Sequence, residues 1–357
     1  MSESVPHQSI VELRDVHVVH RTGGGGMFGR ERVYALTGAD LTVRAGETIG
    51  VVGESGCGKS TMAKVLVGLQ RPTSGTVAFA GKDVWSMNAA ERRMHIGAGV
   101  GMIFQDPATS LNRRMPVRDI LRDPLDVHRR GTKAQREERV RELMALVGLP
   151  RSVADVLPSQ LSGGQRQRVS IARALALEPG LVIADEPTSA LDVSVRAQIL
   201  NLLLDLKERL NLAMVFVSHD IQTVKRISDR VVTMYLGRIV EQTPAAGLPE
   251  VAQHPYTRAL FSATPGLLSP LDPIPLVGPV PLATRPPTGC PFRTRCWKAT
   301  DGCAIEMPPP TTGDGGAGLH EFRCYHPVPA GSSNTELVEL ARAATGRNTP
   351  LHVEETA

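Results

Sequence analysis

The chain has 357 residues, enough for one large core plus an appendage, and its 40 basic and 36 acidic residues leave a net charge of +4. That balance, with 4% aromatic residues and no long basic block, argues against a nucleic-acid surface or a stacking platform for single strands. No apolar run approaches the ~20 residues of a membrane helix, and the polar start carries no signal peptide, so the expectation is a cytoplasmic protein that meets a membrane only through partners.

In chain order, alternation over residues 10–19 predicts a strand. Residues 21–32 are Gly-rich and basic and predict a mobile surface loop. Strands are expected at 41–43 and 48–52, on either side of a turn at Ala45-Gly46-Glu47, then a helix over 59–69 and a strand over 100–104. From 116 to 149 the period is helical, with Val140, Leu143, Met144 and Val147 on one face. Residues 181–184 and 214–217 are short runs typical of a buried parallel sheet, with a helix over 193–210 between them. Between 264 and 287 prolines recur too often for helix or central strand and predict an extended linker across a surface. A compact Cys-bearing segment, 289–327, follows. The last 30 residues are expected to be largely mobile, with one short helical run at 335–344.

Three stretches carry chemistry. Gly53-Glu54-Ser55-Gly56-Cys57-Gly58-Lys59-Ser60 follows a strand and opens a helix, the context in which G-x-x-x-x-G-K-[ST] binds phosphate. Its glycines let the backbone curl round a β-phosphate, Lys59 reaches the β/γ oxygens, Ser60 can ligate Mg²⁺, and Thr61 begins the helix. Leu161-Ser162-Gly163-Gly164-Gln165 also opens a helix, so bare N–H groups meet the positive end of the helix dipole, a second anion site. Asp185 and Glu186 end an apolar run before Pro187. Asp185 is expected to hold Mg²⁺ through water and Glu186 to polarise an attacking water, because phosphoryl transfer needs positioning and charge more than covalent help.

In this order the three stretches resemble the ATP-binding cassette (ABC) family over about residues 10–241. The resemblance implies an α/β fold of the P-loop NTPase cassette type: a RecA-like core sheet, an antiparallel β-subdomain and a helical signature subdomain. It makes Gln105 a γ-phosphate sensor that also touches the metal, His219 the switch histidine, and residues 189–192 a loop at a dimer interface. It pairs two cassettes head to tail, each ATP lying between one chain's phosphate loop and the other's Ser162-Gly163-Gly164-Gln165. Tyr34 is the candidate aromatic against adenine by position, with Phe28 as the alternative; the usual place holds Val18, Val19 and His20.

Further stretches, including Gln105-Asp106-Pro107, the run from Met234 to Glu241 and His254-Pro255-Tyr256-Thr257-Arg258, look like the oligopeptide/dipeptide/nickel importers, and Cys57 resembles their second ATPase subunit. Asn112-Arg113-Arg114 departs from the family's Asn-Pro-Arg where a membrane partner docks. The resemblance implies a sister ATPase subunit (or a homodimer), two permease subunits, an external binding protein, and a peripheral site on the cytoplasmic membrane face. The expected division is a nucleotide-binding domain (1–263), a Pro-rich linker (264–288), the extension (289–330) and a flexible tail (331–357). The competing class is a soluble cassette ATPase of DNA repair or translation, whose chains usually carry two cassettes.

Cys290, Cys296, Cys303 and Cys324 are separated by gaps of five, six and twenty residues. A reducing compartment disfavours disulfides, and structural zinc favours closer pairs. Three near and one far suits a cubane iron–sulfur cluster, and some members of the resembling family carry a [4Fe-4S] cluster in this extension. Zinc and plain structural cysteines stay as alternatives. The expected role is structural or redox-sensing.

Overall fold

The computed structural model describes residues 9–22, 31–263, 272–313 and 320–347. Strands β1 (Ser9–Thr22) and β2 (Glu31–Arg44) form a long antiparallel pair. After β3 (Thr48–Val52) the chain enters α1 (Lys59–Leu66) through the Gly-rich loop. β4 (Ser74–Phe79) and β5 (Lys82–Asp83) complete a four-stranded antiparallel sheet in the order β2-β1-β4-β5. α2 (Ala89–Gly99) leads to β6 (Val100–Ile103), then α3 (Pro107–Ser110), α4 (Val117–Val127), α5 (Lys133–Leu146) and α6 (Gly163–Ala174). There follow β7 (Leu181–Asp185), α7 (Val193–Leu210), β8 (Ala213–Val217), α8 (Ile221–Ile227), β9 (Arg230–Tyr235), β10 (Arg238–Pro244) and α9 (Pro255–Ser262). Two short strands, β11 (Thr311–Thr312) and β12 (Glu321–Phe322), and α10 (Asn334–Arg347) close the chain.

The second sheet has eight strands in the order β11-β12-β10-β9-β3-β8-β7-β6, with β9, β3, β8, β7 and β6 mutually parallel. Every residue of β3, β7 and β8 is buried. Because side chains alternate across a strand, the two faces of one sheet feed two cores. Val182, Ala184, Met214 and Phe216 pack toward the helical subdomain, and Leu181, Ile183, Val215 and Val217 pack toward α1 and the antiparallel sheet. The loops after the carboxyl ends of these parallel strands converge, which is where open α/β sheets bind ligands.

The helical stretch expected from 116 to 149 is two helices. Arg129 (φ 52°) and Gly131 (φ 67°) turn the chain between them, and Thr132 restarts it with a capping box to Gln135. The face of Val140, Leu143, Met144 and Val147 is buried as its period predicted, against Val117, Ile120 and Leu121. The strand expected at 41–43 is the end of the much longer β2, whose irregular register with β1 hides its period. The loop expected at 21–32 overlaps both strands; residues 23–30, Phe28 among them, lie outside the described residues.

The compact Cys-bearing segment packs onto the cassette: Cys290, Phe292 and Cys303 share a buried cluster with Tyr235, Val240 and Tyr256. β12 also adds to the core sheet, Glu241 pairing with Phe322. The helical run expected at 335–344 is present as α10, but it is docked rather than mobile: it buries Leu337, Val338 and Ala341 against Ala259, Ile274 and Val328. Residues 348–357 lie outside the description.

Candidate nucleotide-binding site

The phosphate loop begins at the end of β3 and is shaped by close backbone approaches. Gly58 caps α1 at φ 103°, and a Cβ there would lie 2.2 Å from the Ala35 carbonyl oxygen, so any other residue would force the loop away from β2. Gly58 offers no side chain to cap α1, so the first N–H groups of the helix stay available to an anion. Lys59 is buried, its Nζ donating to the carbonyls of Gly53 (2.7 Å) and Glu54 (3.0 Å). A cleft over the loop is lined by Ser55, Gly56, Gly58, Lys59, Ser60 and Thr61. Gln105, Glu186 and His219 line its other side.

These last three meet at one carboxylate. Gln105 Nε2 donates to Glu186 Oε2 (3.1 Å), and His219 Nδ1 lies 3.4 Å from the same oxygen. They come from the loops after β6, β7 and β8, so three parallel strands deliver three groups to one point. Glu186 sits at φ 46°, a conformation costing a non-glycine residue about 1–3 kcal/mol. Its N–H donates to Val217 O (2.9 Å) and its carbonyl accepts from Ser189 Oγ (3.1 Å), which hold it there.

Asp185 is 7% exposed and accepts from Ser60 Oγ at 3.2 Å. Burial pushes its carboxyl above the ordinary range and the neighbouring Glu186 adds to this, against the opposing Ser60, Lys64 and Lys59. Such a carboxylate favours a nearby cation. Ser60, Asp185 and the amide oxygen of Gln105 are hard oxygen donors of the kind Mg²⁺ takes alongside water and phosphate, so the residues present fit the metal.

The second helix start lies elsewhere. Ser162 is exposed, its Oγ accepting from Gln165 N (3.2 Å) while Gln165 Oε1 accepts from Ser162 N (3.0 Å). The hydroxyl is an acceptor in this capping box, so its proton stays free for an outside group. Gly164 packs closely on α7: a Cβ would lie 2.8 Å from Val195 Cγ1. Ser162, Gly163, Gly164 and Gln165 are not part of the cleft over Lys59.

Tyr34 is not among the cleft residues. Its strand neighbours Val33 and Ala35 are, and alternation along β2 directs the tyrosine to the other side. Its N–H donates to Ala283 O (3.0 Å), and Ala283 and His20 also line the cleft. His20 stands where the sequence analysis found no aromatic hydrocarbon. Ala283 could not have been found from sequence, because it arrives from the linker by a fold-back with no local signature.

Residues 36–189 match the ABC transporter family, and residues 240–303 match the oligopeptide/dipeptide transporter C-terminal region. The oligopeptide transport ATP-binding protein AppF of Bacillus subtilis is 44% identical over 308 residues, 84% of this chain and 93% of that protein. The dipeptide transport ATP-binding protein DppF of Haemophilus influenzae is 42% identical over 311 residues, 86% and 94% of the two chains. This chain belongs to the ABC transporter family, in its group of oligopeptide/dipeptide transport ATP-binding subunits. It is an ABC ATPase, binding ATP and hydrolysing it for transport. A solved ATP-binding cassette, the dimeric MJ0796 in a post-hydrolysis state with ADP and Pi, superposes with a TM-score of 0.60 at 31% identity, covering 67% of this chain and all of that one. Among the described residues no helix is long and apolar enough to cross a membrane.

In the extension, Cys290, Cys296, Cys303 and Cys324 all line one small cavity behind Phe292. Burial raises the Cys290 thiol and pushes those of Cys296 and Cys324 to about 12. Backbone N–H groups oppose this, from Phe292 and Arg293 at Cys290, Lys298 at Cys296, and His326 at Cys324, the last at 3.3 Å. Among the described residues no group of three or more His, Cys, Asp or Glu is arranged to hold a metal ion.

Proposed function

We propose that this ATPase powers the import of oligo- or dipeptides through a membrane complex. The carrying observation is a phosphate loop faced by Gln105, Glu186 and His219 on a chain whose C-terminal region matches that of oligopeptide/dipeptide transporters. The loop cradles the β- and γ-phosphates, Lys59 draws their charge, and Glu186 orients the attacking water while Gln105 and His219 hold its carboxylate near the γ-phosphate. Mg²⁺ held by Ser60, Asp185 and Gln105 would neutralise charge on the transferred phosphate. The Ser162 hydroxyl and the α6 N-terminus complete the site of a second cassette, either a sister subunit or another copy.

We keep as a proposal the division into a nucleotide-binding domain (1–263), a linker (264–288), the extension (289–330) and a tail (331–357). Two permease subunits would dock at the open groove between Phe104, Asp106, Thr109 and Asp123, putting the chain on the cytoplasmic membrane face. An external binding protein would deliver cargo to those permeases. ATP bridging two cassettes closes them, and hydrolysis reopens them. The test is reconstitution with permeases and binding protein in proteoliposomes. Peptide should stimulate hydrolysis and accumulate inside; stimulation by nickel but not by peptide would replace the cargo.

We further propose that the four cysteines hold a [4Fe-4S] cluster. A shared cavity and N–H donors to three of the sulfurs support it, although the four thiols as they stand are not arranged to hold a metal ion. Anaerobic purification should give iron and acid-labile sulfide with visible charge-transfer absorbance. A colourless protein with zinc or four free thiols rules the cluster out.

A further inference from the structure

One residue of the phosphate loop is gripped from the far end of the chain. Glu54 does not line the nucleotide cleft. Its carboxylate faces the extension and accepts a two-pronged pair from Arg295, Nη1 to Oε2 at 2.7 Å and Nη2 to Oε1 at 3.1 Å, across 241 positions of sequence. The Arg295 side chain is 7% exposed and that of Glu54 25%. Exposed pairs contribute little, but a guanidinium this buried cannot trade its partner for water. The backbone of Glu54 is held as well. Its N–H donates to Tyr256 Oη (3.0 Å), and its carbonyl accepts from Lys59 Nζ (3.0 Å).

Arg295 is itself fixed by the extension. It ends a tight turn, Arg293–Arg295, lying between Cys290 and Cys296. Arg293 N donates to Cys290 O (3.1 Å) and Arg295 N to Phe292 O (2.9 Å). A second strut, the bond from Tyr34 N to Ala283 O, brings the linker to the opposite rim of the same cleft.

We propose that Arg295 is a positioning residue for the phosphate loop, through which the C-terminal extension sets the nucleotide affinity of the cassette. The loop must present its N–H groups and Lys59 in one arrangement, and preorganising that arrangement removes an ordering cost from binding. Arg295 does so without touching nucleotide, by fixing Glu54 and with it the carbonyl that holds Lys59. The proposal rests on ATP binding at this loop and is independent of what the cysteines hold.

The experiment uses the full chain and a fluorescent ATP analogue with Mg²⁺, alongside amide hydrogen exchange and thermal unfolding. Arg295→Gln should raise the Kd about tenfold, as expected for losing hydrogen bonds to a charged group. Exchange should accelerate within residues 53–59 and stay unchanged in β7 and β8. Arg295→Lys, which keeps the charge but not the fork, should fall between the two. Unchanged affinity and loop exchange in both variants overturns the proposal. So does a loss of affinity accompanied by faster exchange throughout the chain, which marks general destabilisation. If Arg295→Gln does not fold, loop exchange in Arg295→Lys decides. Lys59→Ala separately tests nucleotide binding at the loop: failure of that variant to lose binding would indict the site, not the strut.

Discussion

The molecule has two glycine-rich helix starts that offer the same backbone chemistry in opposite surroundings. The start of α1 has no side-chain cap and faces a cleft walled by Gln105, Glu186, His219 and His20 of its own chain. The start of α6 caps itself through Ser162 and Gln165, and its serine is exposed. An uncapped, walled start can hold an anion alone. A self-capped, open start is stable without one and gains an enclosing wall only from another molecule. The difference explains how one chain can carry two anion-binding helix starts without joining them.

The strongest way to break this comparison is at the walled site. Glu186→Gln keeps the loop, Lys59 and the metal donors but removes the charge that orients water, so turnover should fall by about 100-fold or more while ATP binding persists. Wild-type turnover in a steady-state phosphate-release assay would remove Glu186 from its role. At the open site, Ser162→Ala removes the exposed hydroxyl that an incoming phosphate should meet, without disturbing the close packing of Gly164 on α7. In a dimer with a partner lacking its loop lysine, hydrolysis should drop at least about tenfold when the lesion faces the intact loop. It should stay unaffected when the lesion faces the dead one, and equal rates in the two mixtures would refute the head-to-tail arrangement. A smaller effect is expected from His20→Ala, which should weaken ATP binding roughly three- to tenfold by losing a ring against the base, whereas Tyr34→Ala should alter it less. Fluorescent-nucleotide titration ranks the two, and the reverse order would return Tyr34 to the adenine.

The smallest effect lies outside both starts. His254 is wholly buried, and desolvation depresses its pKa from 6.5 to about 4 against the pull of Glu241. The folded chain keeps it neutral while the unfolded chain takes up a proton below its ordinary value. Its contribution is therefore full above pH 6.5 and is lost as pH falls toward 4. His254→Asn retains an acceptor for Tyr256 N–H but does not titrate. Its melting temperature should fall less between pH 6.5 and 5, by on the order of 4 °C, and equal acid slopes would show that other groups dominate.

Much of the walled site was legible because its residues sit at strand ends within short motifs. Ser55, Gly56, Gly58, Lys59, Ser60 and Glu186 line one cleft with Gln105 and His219, and Asp185 reaches it through Ser60, whereas Gly53 and Cys57 are not among the lining residues. β7 and β8 were read from β-branched content, whereas the parallel strand β9 and the helices α2, α8 and α9 went unread beside them. Helix α8 is a single pair of turns, and α9 is buried on almost every side and so has no polar face to set a period. The helix in the tail was legible but its docking was not, because three small or aliphatic residues, Leu337, Val338 and Ala341, suffice to dock α10 and give a weak signal against their polar background. Which side of β2 Tyr34 takes is a matter of strand parity, fixed only when the register with β1 is known, and it is not among the residues lining the cleft. Glu54 and Arg295 lie too far apart for any local pattern to pair them.

The pairing of β12 with β10 has one more consequence. Without those two residues, the outer rim of β10 would present unpaired N–H and C=O groups, with Glu241 and Gln242 at the contact positions. A bare strand rim is a template on which other chains polymerise. Here the sequence from another part of the same molecule occupies it first, and the rim then ends at two exposed threonines of β11, too short to recruit a stranger. The extension thus doubles as a guard against self-association, and a chain truncated ahead of it is expected to precipitate even where its ATP site is intact.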